Sequence, residues 1–175
     1  MTAYKSDVDT AAAILLTPGG LDLEALETGL GYAMGAGIDY ADLYFQRTWQ
    51  EGWVLEDGEV KEASYNIDGG VGVRSLAGEK TGFAYSNQIT ADALMDTGRT
   101  AAGIVRSGQR LPGQLVRPVS AMSRYAGIDP LAGLSAEDKV AMLKQADKIA
   151  RAADPSISQV SASLSGTYEV VLVRA

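Results

Sequence analysis

The hydrophobic positions change period along this chain, and the changes mark its elements. The run Ala11-Ala12-Ala13-Ile14-Leu15-Leu16 follows Asp9 and Thr10, either of which suits a helix cap, and Pro18-Gly19-Gly20 stops it. From Asp22 onward, Leu23, Leu26, Leu30 and Met34 recur at helical spacing, which predicts a second helix with that stripe buried. Gly29 and Gly31 each weaken this helix by up to ~1 kcal/mol relative to Ala, so packing must hold it. Gly35 and Gly37 end it.

The period then falls to two. Tyr40 to Gln50 places Leu43, Phe45 and Trp49 on one side of a strand, and Trp53-Val54-Leu55 follows Gly52. Asp57-Gly58 is a hairpin signal. Val60 to Ile67 alternates again, with Ala63, Tyr65 and Ile67 on one face. Asp68-Gly69-Gly70 and Ala77-Gly78-Glu79 predict two further turns around Val71 to Leu76, before Thr81 to Tyr85. These signals give an antiparallel meander of roughly five strands.

Helical spacing returns after Thr90, an N-cap with Asp92 in the first turn, and Leu94, Ala101, Ile104 and Val105 form the apolar stripe up to about Ser107. Residues 108–134 lack clear periodicity and hold Pro112, Pro118 and Pro130, so they predict a long connection. Ser135 opens the last helix as the N-cap of a capping box closed by Asp138. Val140, Leu143 and Ile149 with Ala146 or Ala150 are expected to face inward, and Asp154-Pro155 stops the helix. Ser158 to Leu164, a turn at Ser165-Gly166-Thr167, and Tyr168 to Val173 read as a C-terminal β-hairpin. The fold class is therefore α+β, an antiparallel β-meander with helices packed on one face plus that hairpin. The chain ends on an apolar strand without a polar tail, which suggests a polypeptide that continues.

Composition changes this picture mainly by exclusion. The 175 residues include no His and no Cys, so a Ser-His-Asp triad, a Cys nucleophile and a His/Cys zinc site cannot be built from this chain. Fifteen Lys and Arg against 22 Asp and Glu give a net charge of -7. Residues 1–90 carry 14 acids and 5 bases, whereas residues 91–175 carry 8 acids and 10 bases. An acidic front half does not suit a nucleic acid, and Arg99, Arg106, Arg110, Arg117 and Arg124 read as solvated positions. No stretch reaches the ~20 apolar residues of a membrane span, and no basic segment precedes the first apolar run as in a signal peptide. The expected location is the cytoplasm.

The individual motifs carry little chemistry. Gly69-Gly70-Val71-Gly72 is flanked by strands and lacks the Lys-Ser/Thr of a phosphate loop; its glycines suit a sheet where another backbone comes close. Glu56, Asp57, Glu59 and Glu62 surround a hairpin tip without the spacing of a calcium loop. Arg74 stands out on a strand of small and apolar residues, suited to a carboxylate of a peptide or neighbouring domain, or to a local acid such as Glu79. The aromatics Tyr40, Tyr44, Phe45, Trp49, Trp53, Tyr65, Phe83 and Tyr85 fall in the strands and read as core and cross-strand pairs.

Several segments together resemble a known family. They are DYADLYFQ from Asp39, WVLEDGEVKEASYNIDGGVGVRSLAGEKTGFAYSN from Trp53 to Asn87, YAGIDPL at Tyr125, KVAMLKQADKIARAADPSISQV from Lys139, and SASLSGTYEVVLV up to Val173. This set, which runs from about Leu21 onward, resembles the TldD/PmbA family of zinc metallopeptidases, once called modulators of DNA gyrase, and implies a TldD-like N-terminal domain over residues 1–175. The resemblance implies a longer protein whose C-terminal catalytic domain holds zinc through an H-E-x-x-x-H motif and a later Cys. It further implies a heterodimer with a PmbA/TldE-like subunit, acting on small or unfolded peptides. No catalytic or metal-binding residue transfers to this chain, which lacks His and Cys. Arg74 and Tyr85 are the residues expected to line a channel for an extended peptide. The alternative is a stand-alone regulatory or protein-interaction module without peptidase activity.

Overall fold

The structure is a computed structural model and describes residues 7–106 and 128–175. Its elements are α1 (Asp7–Leu15), α2 (Leu23–Ala33), β1 (Tyr40–Glu56), β2 (Glu59–Ala77), β3 (Lys80–Ser86), α3 (Ala91–Arg106), α4 (Ala136–Ala153) and β4 (Ser161–Arg174). Short 3-10 turns lie at Thr17–Gly19 and Leu131–Gly133. Helices and one antiparallel sheet make the class α+β, as the patterns predict. The greater part of the connection over 108–134, together with Arg110, Arg117 and Arg124, lies outside the described residues. Among the described residues no helix is long and apolar enough to cross a membrane.

The sheet order is β3-β2-β1-β4. β1 and β2 join through Asp57-Gly58, whose φ values of 49° and 80° are the two positive angles a type I′ turn requires. β2 and β3 pair antiparallel from Val71↔Ser86 to Ala77↔Lys80. Thr48 and Trp49 of β1 meet Glu169 and Tyr168 of β4, and Asp57 meets Val160, so these strands also run antiparallel.

The strand break at Gly52 and the turns expected at Asp68-Gly69-Gly70 and Ser165-Gly166-Thr167 are absent. Gly52 lies inside β1, and Asp68-Gly69-Gly70 lies inside β2. A Cβ on Gly69 would stand 2.8 Å from the Gln46 carbonyl oxygen, and one on Gly70 would overlap the Ser86 carbonyl oxygen. These glycines let neighbouring backbone approach rather than turn the chain. The expected C-terminal hairpin is also corrected: Ser165-Gly166-Thr167 continues one strand, β4. A Cβ on Gly166 would stand 2.5 Å from Leu131 Cδ2, so the glycine makes room for a side chain.

The chain divides into two compact units. Among the described residues the first holds 7–47, 68–106 and 170–175, and the second holds 48–67 and 128–169. In the first, Leu43, Phe45, Val71, Val73 and Ser75 of the strands are buried, as are Leu15, Leu26, Leu94, Ala101 and Val105 of the helices. Asp22 caps α2, accepting from the Ala25 N–H at 2.8 Å, and Ser75 Oγ donates at 2.8 Å to the Ala33 carbonyl at its other end. α2 and α3 pack closely where Gly29 and Gly98 meet: a Cβ on Gly98 would stand 3.0 Å from the Gly29 carbonyl oxygen. Leu23 and Ile104, expected in the buried stripes, are exposed.

In the second unit, Ser135 and Asp138 form the expected capping box on α4. Its buried stripe is not the apolar one expected. Lys139, Leu143 and Asp147 are buried, while Ile149 and Ala146 are exposed. Lys139 Nζ lies 2.7 Å from a Glu51 carboxylate oxygen and donates to the Leu131 carbonyl at 3.0 Å. Arg151 donates to Asp147 at 3.1 Å and to Asp57 at 2.7 Å, and the Asp57 carboxylate also accepts from the Val160 N–H. The acidic hairpin tip is thus held by a cation of α4.

The backbone N–H of Val160 first, and then Arg151, hold the Asp57 carboxyl below its ordinary 3.8. A depressed folded value stabilises the fold fully above the unfolded value, and this contribution is lost as pH falls through the folded value. Asp57→Asn keeps the turn conformation but not the titration. Thermal unfolding of that variant should vary less with pH below about 4 than that of the parent chain. Identical pH profiles would contradict the assignment.

Candidate peptide-facing sheet surface

Arg74 and Tyr85 lie on the same face of the first unit's sheet. In β2, Val71, Val73, Ser75 and Ala77 are buried, so the alternating positions Gly72 and Arg74 belong to the opposite face. The register pairs Gly72 with Tyr85 and Arg74 with Phe83, which brings both aromatics onto that face. Tyr85 is 78% exposed and Phe83 56%. Their rings stack with centroids 6.5 Å apart. Gly72 leaves room for this arrangement, since a Cβ there would stand 3.1 Å from the Phe83 ring. Alternation also puts Tyr40, Asp42 and Tyr44 of β1 opposite the buried Leu43 and Phe45.

The Asp42 carboxylate accepts from Arg74 Nε at 2.9 Å and from Nη2 at 2.5 Å. The local acid is therefore Asp42 on the adjacent strand, rather than Glu79. Asp42 is nearly buried, whereas the Arg74 side chain is half exposed. Two of the five guanidinium N–H donors are committed to Asp42, which orients the rest of the group. Hydrogen bonding to Asp42 raises the pKa of Arg74 above its already high ordinary value. Burial, and then the Asp42 charge, raise Tyr40 above 10.0. At neutral pH the arrangement therefore presents a fixed cation and a protonated phenol. It can orient and bind a polar chain, but neither group is poised as a general base.

Tyr40, Asp42 and Phe83 belong to this surface and escaped sequence reasoning as a group. For Tyr40 and Asp42 the signal was the alternation within DYADLYFQ, where Asp42 falls between core positions Ala41 and Leu43. The sequence has no His or Cys, and among the described residues no group of three or more Asp or Glu side chains is placed to hold a metal. These residues do not fit a catalytic zinc.

Comparison with known proteins places this surface in context. The family model described as PmbA/TldA metallopeptidase domain 1 matches residues 41–105, which include Asp42, Arg74 and Tyr85. The model of the PmbA/TldA metallopeptidase central domain matches residues 129–174. The chain is 45% identical over 163 residues to a metalloprotease TldD homolog of Haemophilus influenzae, covering 92% of this chain and 34% of that protein. It is 41% identical over 141 residues to a metalloprotease TldD homolog of Buchnera aphidicola, covering 78% of this chain and 28% of that protein. The chain thus spans about a third of the length of these relatives. The crystal structure of TldE from Thermococcus kodakarensis shares the fold with a TM-score of 0.61 at 16% identity, over 85% of this chain and 34% of that one. A Thermotoga maritima structure named for modulation of DNA gyrase gives 0.62 at 16% identity, over 86% and 34%. With two models of one family matched in succession, and TldD homologs matched along most of its length, this chain belongs to the PmbA/TldD metallopeptidase family.

Proposed function

We propose that this chain serves as the N-terminal, non-catalytic part of a TldD-like zinc metallopeptidase in the cytoplasm. In this reading it lines the path of small or unfolded peptides and takes part in assembly with a PmbA/TldE-like subunit. The observation that carries the reading is the exposed Arg74-Phe83-Tyr85 surface on β2 and β3, inside the segment matched by the family's domain 1. Among the described residues β3 is the outer strand of the sheet order, so its outer edge offers backbone donors and acceptors to an extended chain. Pairing of that kind tolerates many sequences, which suits a peptidase for unfolded substrates.

Each side chain then has a role. Tyr85 and Phe83 give flat apolar contact to peptide side chains. Arg74, fixed by Asp42, donates to a peptide carbonyl or carboxylate. Zinc would be held by other parts of the longer protein and would activate the attacking water there. The expected result is that the purified chain binds an unfolded peptide at this surface without cleaving it.

A further inference from the structure

We propose that the solvent face of α4 is a docking surface for a partner segment that presents apolar side chains beside a row of carboxylates. The pattern of α4 is inverted. Its inward stripe carries the charged Lys139 and Asp147, each held by ion pairs, while Met142 and Ile149 stand 50% and 62% exposed on the other side. Met142, Gln145, Ile149 and Ala152 follow one another at helical spacing and form one outward stripe. Lys144 and Lys148, one turn apart, run alongside it. Lys144, Gln145, Lys148, Ile149 and Ala152 line a shallow groove, and no carboxylate lines it among the described residues.

These features select the occupant by charge. An apolar stripe bordered along one edge by two lysines matches an amphipathic segment with acidic residues along the edge that meets them. A second copy of α4 would bring its own lysines against Lys144 and Lys148, which opposes self-pairing. Identification of the segment with part of a PmbA/TldE-like subunit rests on the assembly role proposed above.

The test uses the full 175-residue chain with labelled Met and Ile methyl groups. It is titrated with a helical peptide carrying Leu along one face and Glu on both flanks, and with a twin in which Lys replaces Glu. The acidic peptide should move the Met142 and Ile149 signals and bind at least about tenfold more tightly than its twin, with the difference shrinking in high salt. The double variant K144E/K148E, changed only at exposed positions, should reverse the ranking. Equal binding of the two peptides, absence of binding, or signals that move with protein concentration alone would overturn the proposal. Failure of a PmbA-like subunit to co-purify, with the acidic peptide still binding, would overturn the assembly role and leave the docking surface standing.

Discussion

Replacing Lys139 with Met should destabilise the second unit by about 3–5 kcal/mol, the usual consequence of leaving one member of a buried ion pair without its counter-charge. Lys139 and Glu51 side chains are only 7% and 12% exposed and meet at 2.7 Å. The lost cation strands the Glu51 carboxylate and also removes the donor to the Leu131 carbonyl. Most of the loss should return in the double variant K139M/E51L, because a matched apolar pair carries no desolvation penalty. Denaturant midpoints of the two single variants and the double variant decide the matter. Single variants within about 1 kcal/mol of the parent would mean that the pair is solvated and energetically minor.

The second large effect is expected at Gly82 of β3. A Cβ there would overlap the Ala101 carbonyl oxygen and stand 2.6 Å from Val105 Cγ2. Backbone rather than a flexible side chain blocks the space, so α3 must lift from the sheet. Gly82→Ala should cost about 3 kcal/mol, at the upper end for overpacking. Gly103→Ala in the same helix is the control. Nothing lies within 4 Å of its added methyl, so it should stabilise the protein by about 0.5–1 kcal/mol through helix propensity. Opposite signs for these two Gly→Ala changes, read from thermal unfolding, would show that close packing and not backbone freedom fixes Gly82.

The parts of the fold legible in the sequence were those specified by local chemistry. Ser135 capped the helix expected of it, the second helix began next to Asp22, and Asp57-Gly58 made its turn, because each signal acts within a few residues. Gly69-Gly70 and Ser165-Gly166 were misread for a common reason. Glycine relieves a tight turn and equally admits a close neighbour, and only the tertiary structure says which. The α4 stripe was misread because hydrophobicity was the sole guide. Lys139 and Asp147 turn inward to meet Glu51 and Arg151, and the Glu51 partner is 88 residues away. In the candidate site, Arg74 and Tyr85 could be singled out as unusual strand residues. Their common face, and the grip of Asp42 on Arg74, depend on strand register that alternation alone does not fix.

The most direct test titrates an unfolded, uncharged peptide into the isotope-labelled chain while the peptide's integrity is followed in the same sample. The account predicts shifts concentrated on β3 and around Arg74 and Tyr85, with the peptide intact whether or not zinc is added. Tyr85→Ala should weaken binding by about fivefold, consistent with loss of one exposed aromatic contact. Cleavage that EDTA abolishes, or binding that leaves the Tyr85 surface unchanged, would contradict it.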